Sequence, residues 1–196
     1  MRTLSNPVHP FLFAIALAML SAAAHPAPPD SGDIAVAIRR DGDAIDVDVQ
    51  LRVEATPQQV WDVLTDYGHM ADFVSNVAMS RIVRREDDRL DVAQTSRLTF
   101  GPFAFTFDNA REIELVPLRE IRSKVVSGDM KGSAFTTRLF GEGGETRITN
   151  HGRFLPDRWI PPLIGTAVLE AETRKQFAEF REEMLRRKNL DPAKPH

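Results

Sequence analysis

The sequence of 196 residues contains no cysteine. The folded chain therefore has no disulfide, no thiol nucleophile, no thiolate ligand for a metal ion and no cysteine for a lipid anchor. Its stability has to come from a hydrophobic core, which a chain of this length can build as one domain.

The sequence also lacks a strong excess of charge of either sign. It has 28 acidic residues against 25 Lys and Arg, a net charge of −3, and the basic residues are scattered among acidic ones. A nucleic-acid-binding protein concentrates its basic residues on one surface. We therefore expect no nucleic acid partner. The charged fraction of 27% and the hydrophobic fraction of 42% are those of an ordinary globular protein.

No hydrophobic run is long enough for a typical membrane-spanning helix, because the longest covers residues 11–20. Small residues follow it, and Ala22 and Ala24 fit a signal-peptidase site. We predict a signal peptide over residues 1–24, with an uncleaved membrane anchor as the alternative, and a flexible Pro-rich leader over residues 25–32. After cleavage the protein would have no stable membrane span and would be periplasmic or secreted. The absence of cysteine suits a bacterial periplasm.

Signatures of catalysis are missing as well. The chain has no G-x-S-x-G, no H-E-x-x-H, no P-loop and no G-x-G-x-x-G. We predict that His69 and His151 are exposed. Four aspartates between residues 41 and 48 lack the spacing of a calcium loop and are typical of a solvated sheet edge. We therefore expect no metal and no cofactor.

The clearest local signal is the start of a helix at Thr56. A Thr followed three residues later by Gln59 forms a capping box, and Pro57 suits the first helical position. Apolar residues then recur at helical spacing, and a second short helix with Met70 and Phe73 follows.

Around these helices the pattern indicates strands. Apolar and polar residues alternate over residues 45–53, and turn signals separate further short runs up to residue 154. A long helix opens at Pro161-Pro162. We predict one α+β domain over residues 33–188 and a disordered tail over 189–196. Its curved antiparallel sheet has six to seven strands, with two short helices after the first strands and a long C-terminal helix over one face.

Four segments resemble a known family. They are VWDVLTDYGHMADFVSNV, GDMKGSAFTTRLF, TRITNHGRF and the closing amphipathic helix. Across roughly residues 45–187 the chain is similar to the START-like, polyketide cyclase/dehydrase (SRPBCC) superfamily, with the coenzyme-Q-binding START-domain proteins as the nearest branch. The resemblance implies a helix-grip fold, as in Bet v 1, around a hydrophobic cavity for a lipid, isoprenoid, sterol or polyketide-like ligand. Members range from carriers to cyclases, so the chemistry stays open.

In such a fold, nine residues are candidates to contact the ligand from the strands and the final helix. They are Phe103, Phe105, Phe107, Asn150, Trp159, Ile164, Val168, Ala171 and Arg174. Each has an ordinary alternative: the phenylalanine row can be plain core, Asn150 can be satisfied by a neighbouring strand, Trp159 can serve packing, and Arg174 can extend to the surface.

The function expected from these features is binding or transport of a hydrophobic small molecule, and the missing catalytic set favours a carrier over an enzyme. A cyclase or dehydratase acting on a polyketide-like or lipid substrate is the first alternative. A non-catalytic protein-interaction module is the second. The sequence leaves the oligomeric state open.

Overall fold

A computed structural model describes most of the chain, namely residues 33–100, 103–156 and 165–190. The predicted signal peptide and leader lie outside these ranges, as do Trp159, Ile164 and the last six residues of the tail. The side chain of Phe103 is also outside the described part, although its backbone belongs to a strand.

Within the described ranges the chain forms eight strands and three helices. In chain order they are β1 Ile34–Asp41, β2 Ala44–Val53, α1 Pro57–Leu64, α2 Met70–Phe73, β3 Val77–Glu86, β4 Arg89–Phe100, β5 Phe103–Val116, β6 Glu120–Gly128, β7 Ala134–Glu142, β8 Glu145–Phe154 and α3 Thr166–Leu190.

All eight strands belong to one antiparallel sheet in the order β1-β2-β8-β7-β6-β5-β4-β3. The predicted number of six to seven strands was therefore wrong. Each turn signal reverses the chain, so the strand before a turn pairs with the strand after it. This includes the edge strand β1, which pairs with β2. The pairing of β2 with the last strand, β8, lies next to the β1 edge of the curved sheet. The α+β helix-grip architecture is confirmed.

The predicted capping box at the start of α1 is confirmed. The Gln59 backbone N–H donates to Thr56 Oγ1 at 3.3 Å, and the Thr56 backbone N–H donates to Gln59 Oε1 at 3.0 Å. Pro57 occupies the first helical position, where its missing N–H costs no hydrogen bond.

The core lies between the concave face of the sheet and the helices. Alternate residues of β2 are buried, as its sequence pattern predicts. The C-terminal half of α3 covers this face with Phe177, Phe180 and Met184. None of the helices in the described ranges has both the length and the apolar character to cross a bilayer.

Two sets of polar contacts hold α3 against the rest of the fold. Near its N-terminal end, the Arg174 guanidinium donates to the backbone carbonyl of Ile34 in β1. Near its C-terminal end, Arg187 Nη2 donates to Asp66 Oδ2 at 2.8 Å, in the loop between α1 and α2. The helix is thus tied to the edge of the sheet and to the helical segment at the opposite ends of its length.

Candidate functional site

A cavity of about 590 Å³ separates the middle of the sheet from α3. This volume lies in the range of small-molecule sites, which are usually apolar with a few polar groups. Six of the phenylalanines whose side chains the structure describes line it, from three strands and α3: Phe105, Phe107, Phe135, Phe154, Phe177 and Phe180.

Phe105 and Phe107, two members of the predicted aromatic row on β5, lie in the cavity wall. On the opposite side of the sheet's centre, Phe135 and Phe154 meet edge to face with ring centroids 4.8 Å apart. Aromatic rings from both sides of the sheet's centre therefore contribute to the wall. Gly152 makes the Phe135 position possible, because a Cβ at residue 152 would lie 2.8 Å from Phe135 Cδ1.

Asn150 also lines the cavity, on the inward face of β8 as the strand alternation predicts. Its Nδ2 donates to Thr137 Oγ1 of β7 at 2.8 Å. The neighbouring strand thus provides an acceptor for the amide nitrogen of Asn150, and the side chain still lines the cavity. Its contact with a ligand stays a prediction.

Arg111 on β5 is a cavity residue that the sequence analysis did not single out. Its Nε donates to Asn109 Oδ1 at 2.9 Å, and its guanidinium carbon lies 5.3 Å from the centroid of the Phe135 ring. Burial lowers the pKa of Arg111, because apolar surroundings disfavour the charged form. A sequence signal existed: Phe105, Phe107 and Arg111 share one face of an alternating strand.

Tyr67 is buried and lines the same cavity. Burial raises the pKa of Tyr67 to about 12, and the positive charge of Arg111 opposes this rise. The phenol therefore stays protonated at any physiological pH and can donate a hydrogen bond. Tyr67 and Arg111 bring two donors to one apolar space.

The face of α3 that meets the cavity differs from the predicted one. Val168, Ala171 and Arg174 do not line the cavity in the described part of the chain. The lining residues of α3 are instead Leu169, Glu172, Thr173, Gln176, Phe177 and Phe180. One residue turns a helix by about 100°, so a shift of a single position changes which side chains face the sheet. The large Phe177 and Phe180 rings are buried and set this rotation.

Arg174 has partners elsewhere. It contacts the Ile34 carbonyl, and its Nη2 lies 2.8 Å from Glu170 Oε1 one turn earlier in α3. His69 and His151 are exposed, as predicted, and each pairs with an aspartate, Asp66 or Asp48, at 2.7 Å.

A family model described as "Polyketide cyclase / dehydrase and lipid transport" matches residues 53–181. The chain belongs to this polyketide cyclase/dehydrase and lipid transport family. The match covers α1, the strands β3 to β8 and most of α3, and the family binds hydrophobic small molecules. No curated protein sequence matches the chain.

Solved structures of the same fold include both lipid-transfer and cyclase proteins. A STAR-related lipid transfer protein from Xanthomonas axonopodis is 13% identical with a TM-score of 0.66, covering 80% of this chain and 96% of its own. The Zhui aromatase/cyclase from Streptomyces sp. R1128 is 16% identical with a TM-score of 0.61, covering 76% and 95%. The human StarD13 lipid transfer and protein localization domain is 16% identical with a TM-score of 0.58, covering 80% and 87%. At these identities the likeness shows the fold of the family.

Proposed function

We propose that this protein binds and carries a hydrophobic small molecule, such as a lipid or an isoprenoid quinone, in the cavity between the sheet and α3. The single observation that carries the proposal is the cavity of about 590 Å³ with its six phenylalanines. A folded protein normally fills its interior, so an apolar space of this size is a ligand site rather than a packing defect. The lipid transport branch of the family supports the same function.

Two polar groups of the cavity, those of Tyr67 and Arg111, are unsuited to acid–base catalysis and favour a carrier. A general acid or base works best with a pKa near the operating pH. The pKa of Tyr67 is raised to about 12, and an arginine does not lose its proton in proteins. Both described histidines in the folded part of the chain, His69 and His151, are exposed and absent from the cavity lining.

A cyclase or dehydratase remains the second candidate, because Tyr67 and Arg111 could stabilise a developing oxyanion. It is tested by incubating the protein with a poly-β-keto thioester and following cyclised products by mass spectrometry. Turnover that Arg111→Met abolishes while ligand binding persists would favour the enzyme. The protein-interaction module has less support, because such a module does not require an open apolar cavity.

We also propose the cellular compartment in which the protein acts. Residues 1–24 would direct export, and the ligand would be met in the periplasm or outside the cell. Cell fractionation and N-terminal sequencing of the native protein test this. A mature protein that begins at His25 supports export with cleavage, whereas retention of the whole protein in the cytoplasm contradicts it.

The binding function is tested by native mass spectrometry of the purified protein, followed by solvent extraction of whatever co-purifies. The delipidated protein is then titrated with the neutral fluorescent probe N-phenyl-1-naphthylamine. We expect a bound apolar molecule of one or a few masses and saturable probe binding. A protein that emerges empty and binds neither the probe, a fatty acid, a sterol nor a quinone would overturn the proposal.

A further inference from the structure

The cavity contains a positive charge without a negative partner. Among the residues that the structure describes, three charged ones line it: Arg97, Arg111 and Glu172. In the described part of the chain, no carboxylate lies within ion-pair distance of Arg111, and Glu172 does not reach it. Arg153 on the outer surface is an example of a paired arginine: it contacts both Asp41 and Asp46 at 2.8 Å.

A charge in apolar surroundings is costly unless it is paired and hydrogen-bonded. Arg111 is only partly compensated. Asn109 Oδ1 accepts from its Nε, and the face of the Phe135 ring lies against the guanidinium. Arginine has five N–H donors in a planar fork, so the donors on its two Nη groups are left to face the cavity. A fork of this shape matches a carboxylate in a bidentate arrangement.

Tyr67 supplies a second donor to the same space. It is buried, lines the cavity and lies within the electrostatic influence of Arg111. A protonated phenol beside a guanidinium recognises an acceptor that carries negative charge.

We infer that Arg111 and Tyr67 form the head-group subsite for an amphiphilic anion, such as the carboxylate of a long-chain fatty acid or another apolar acid. The inference rests on the proposed function, since it assumes that the cavity takes a hydrophobic ligand. The aromatic wall provides the place for the tail. Phe107 is four residues from Arg111 along β5, which is about 13 Å in an extended strand.

The experiment compares ligands that share a tail and differ in the head group. Displacement of N-phenyl-1-naphthylamine from the delipidated full-length protein is measured with palmitate, hexadecanol and methyl palmitate at pH 7.5. We expect palmitate to bind at least about tenfold more tightly than the two neutral ligands, since a charged hydrogen-bonded pair contributes this much.

Three variants test which residues are responsible for the preference for palmitate. Arg111→Met keeps an unbranched side chain, although a shorter one, and removes its charge; we expect it to abolish the preference for palmitate while the probe and hexadecanol still bind. Tyr67→Phe should reduce the preference severalfold. Arg81→Met is the matched control, because Arg81 is exposed on β3 and lies outside the cavity lining. It should behave like the unchanged protein.

Each result decides a different question. Equal affinities for palmitate and hexadecanol on the unchanged protein, or a preference that survives Arg111→Met, would overturn the subsite and leave the carrier function intact. Failure of the unchanged protein to bind the probe, any of the three ligands, a sterol or a quinone would instead overturn the proposed function. If Arg111→Met does not fold, Arg111→Lys retains the charge without the fork, and a preference equal to that of the unchanged protein would contradict recognition by bidentate geometry.

Discussion

Arg187 and Asp66 form an ion pair at 2.8 Å that joins the end of α3 to the loop in which Tyr67 lies. Arg187 also pairs with Glu183 at 2.6 Å, and Glu183 in turn accepts from Arg186. Because Tyr67 follows Asp66 directly, this charged network positions one wall of the cavity as well as the helix that covers it.

The first prediction concerns the pH dependence of this network. Hydrogen bonds from Arg186 and Arg187 outweigh burial and lower the pKa of Glu183 from 4.5 to about 2. A carboxyl with a depressed folded-state pKa contributes stability that is fully present above its unfolded pKa and is lost as the pH falls from about 4.5 towards 2. The full shift corresponds to about 3 kcal/mol, and solvent screening around the exposed Arg186 reduces the expected effect to about 1–2 kcal/mol.

Urea unfolding of Glu183→Gln and the unchanged protein between pH 7 and pH 3 measures this effect. The variant should be less stable at pH 7, and the difference in the free energy of unfolding should shrink as the pH falls. The neighbouring Glu182 is exposed, so Glu182→Gln is the control and should show no such dependence. A difference that is independent of pH would contradict the assignment.

The second prediction concerns the cap of α1. Thr56→Ala removes the hydroxyl that accepts from Gln59, and loss of such a cap costs about 1 kcal/mol. Thr56→Ser keeps the hydroxyl and should retain most of the stability. Chemical denaturation of both variants checks this, and an equal loss for Ser and Ala would show that the methyl group matters rather than the cap.

The third prediction concerns Gly152. In Gly152→Ala the new Cβ would meet the Phe135 ring at 2.8 Å, so the ring has to move towards the cavity. We expect severalfold weaker binding of the naphthylamine probe and a small loss of stability, because the obstacle is a side chain rather than backbone. Gly68→Ala is the control, since nothing lies within 4 Å of a Cβ at that position. Unchanged probe affinity in Gly152→Ala would contradict the placement of Phe135 in the cavity wall.

The sequence predicts the elements better than it predicts the site, and the reason is physical. Strand alternation and the Thr56 capping box are local patterns, so they survive in the folded protein. The rotation of α3 depends on how Phe177 and Phe180 fit between the sheet and the short helices, which is a tertiary effect. Its apolar residues Val168 and Ala171 are small and do not determine the buried face.

Arg111 shows a second limit of prediction from sequence. A charged residue is assigned to the surface by default because burial of a lone charge is unfavourable. The alternation of β5 nevertheless places it on the same face as Phe105 and Phe107. A charged residue on an otherwise apolar strand face therefore indicates a binding site better than the apolar residues around it do.

The last prediction tests which face of α3 meets the ligand. Leu169 lines the cavity, whereas its neighbour Val168 does not. Leu169→Gln places an amide against the apolar ligand, and burying an amide without a partner is unfavourable, so we expect roughly tenfold weaker probe binding. Val168→Gln makes the same kind of change one position away and should leave the affinity unchanged. Fluorescence titration of both variants, with thermal unfolding as a check on folding, provides the measurement. If Val168→Gln weakens binding and Leu169→Gln does not, the ligand contacts the helical face that the sequence pattern predicted instead.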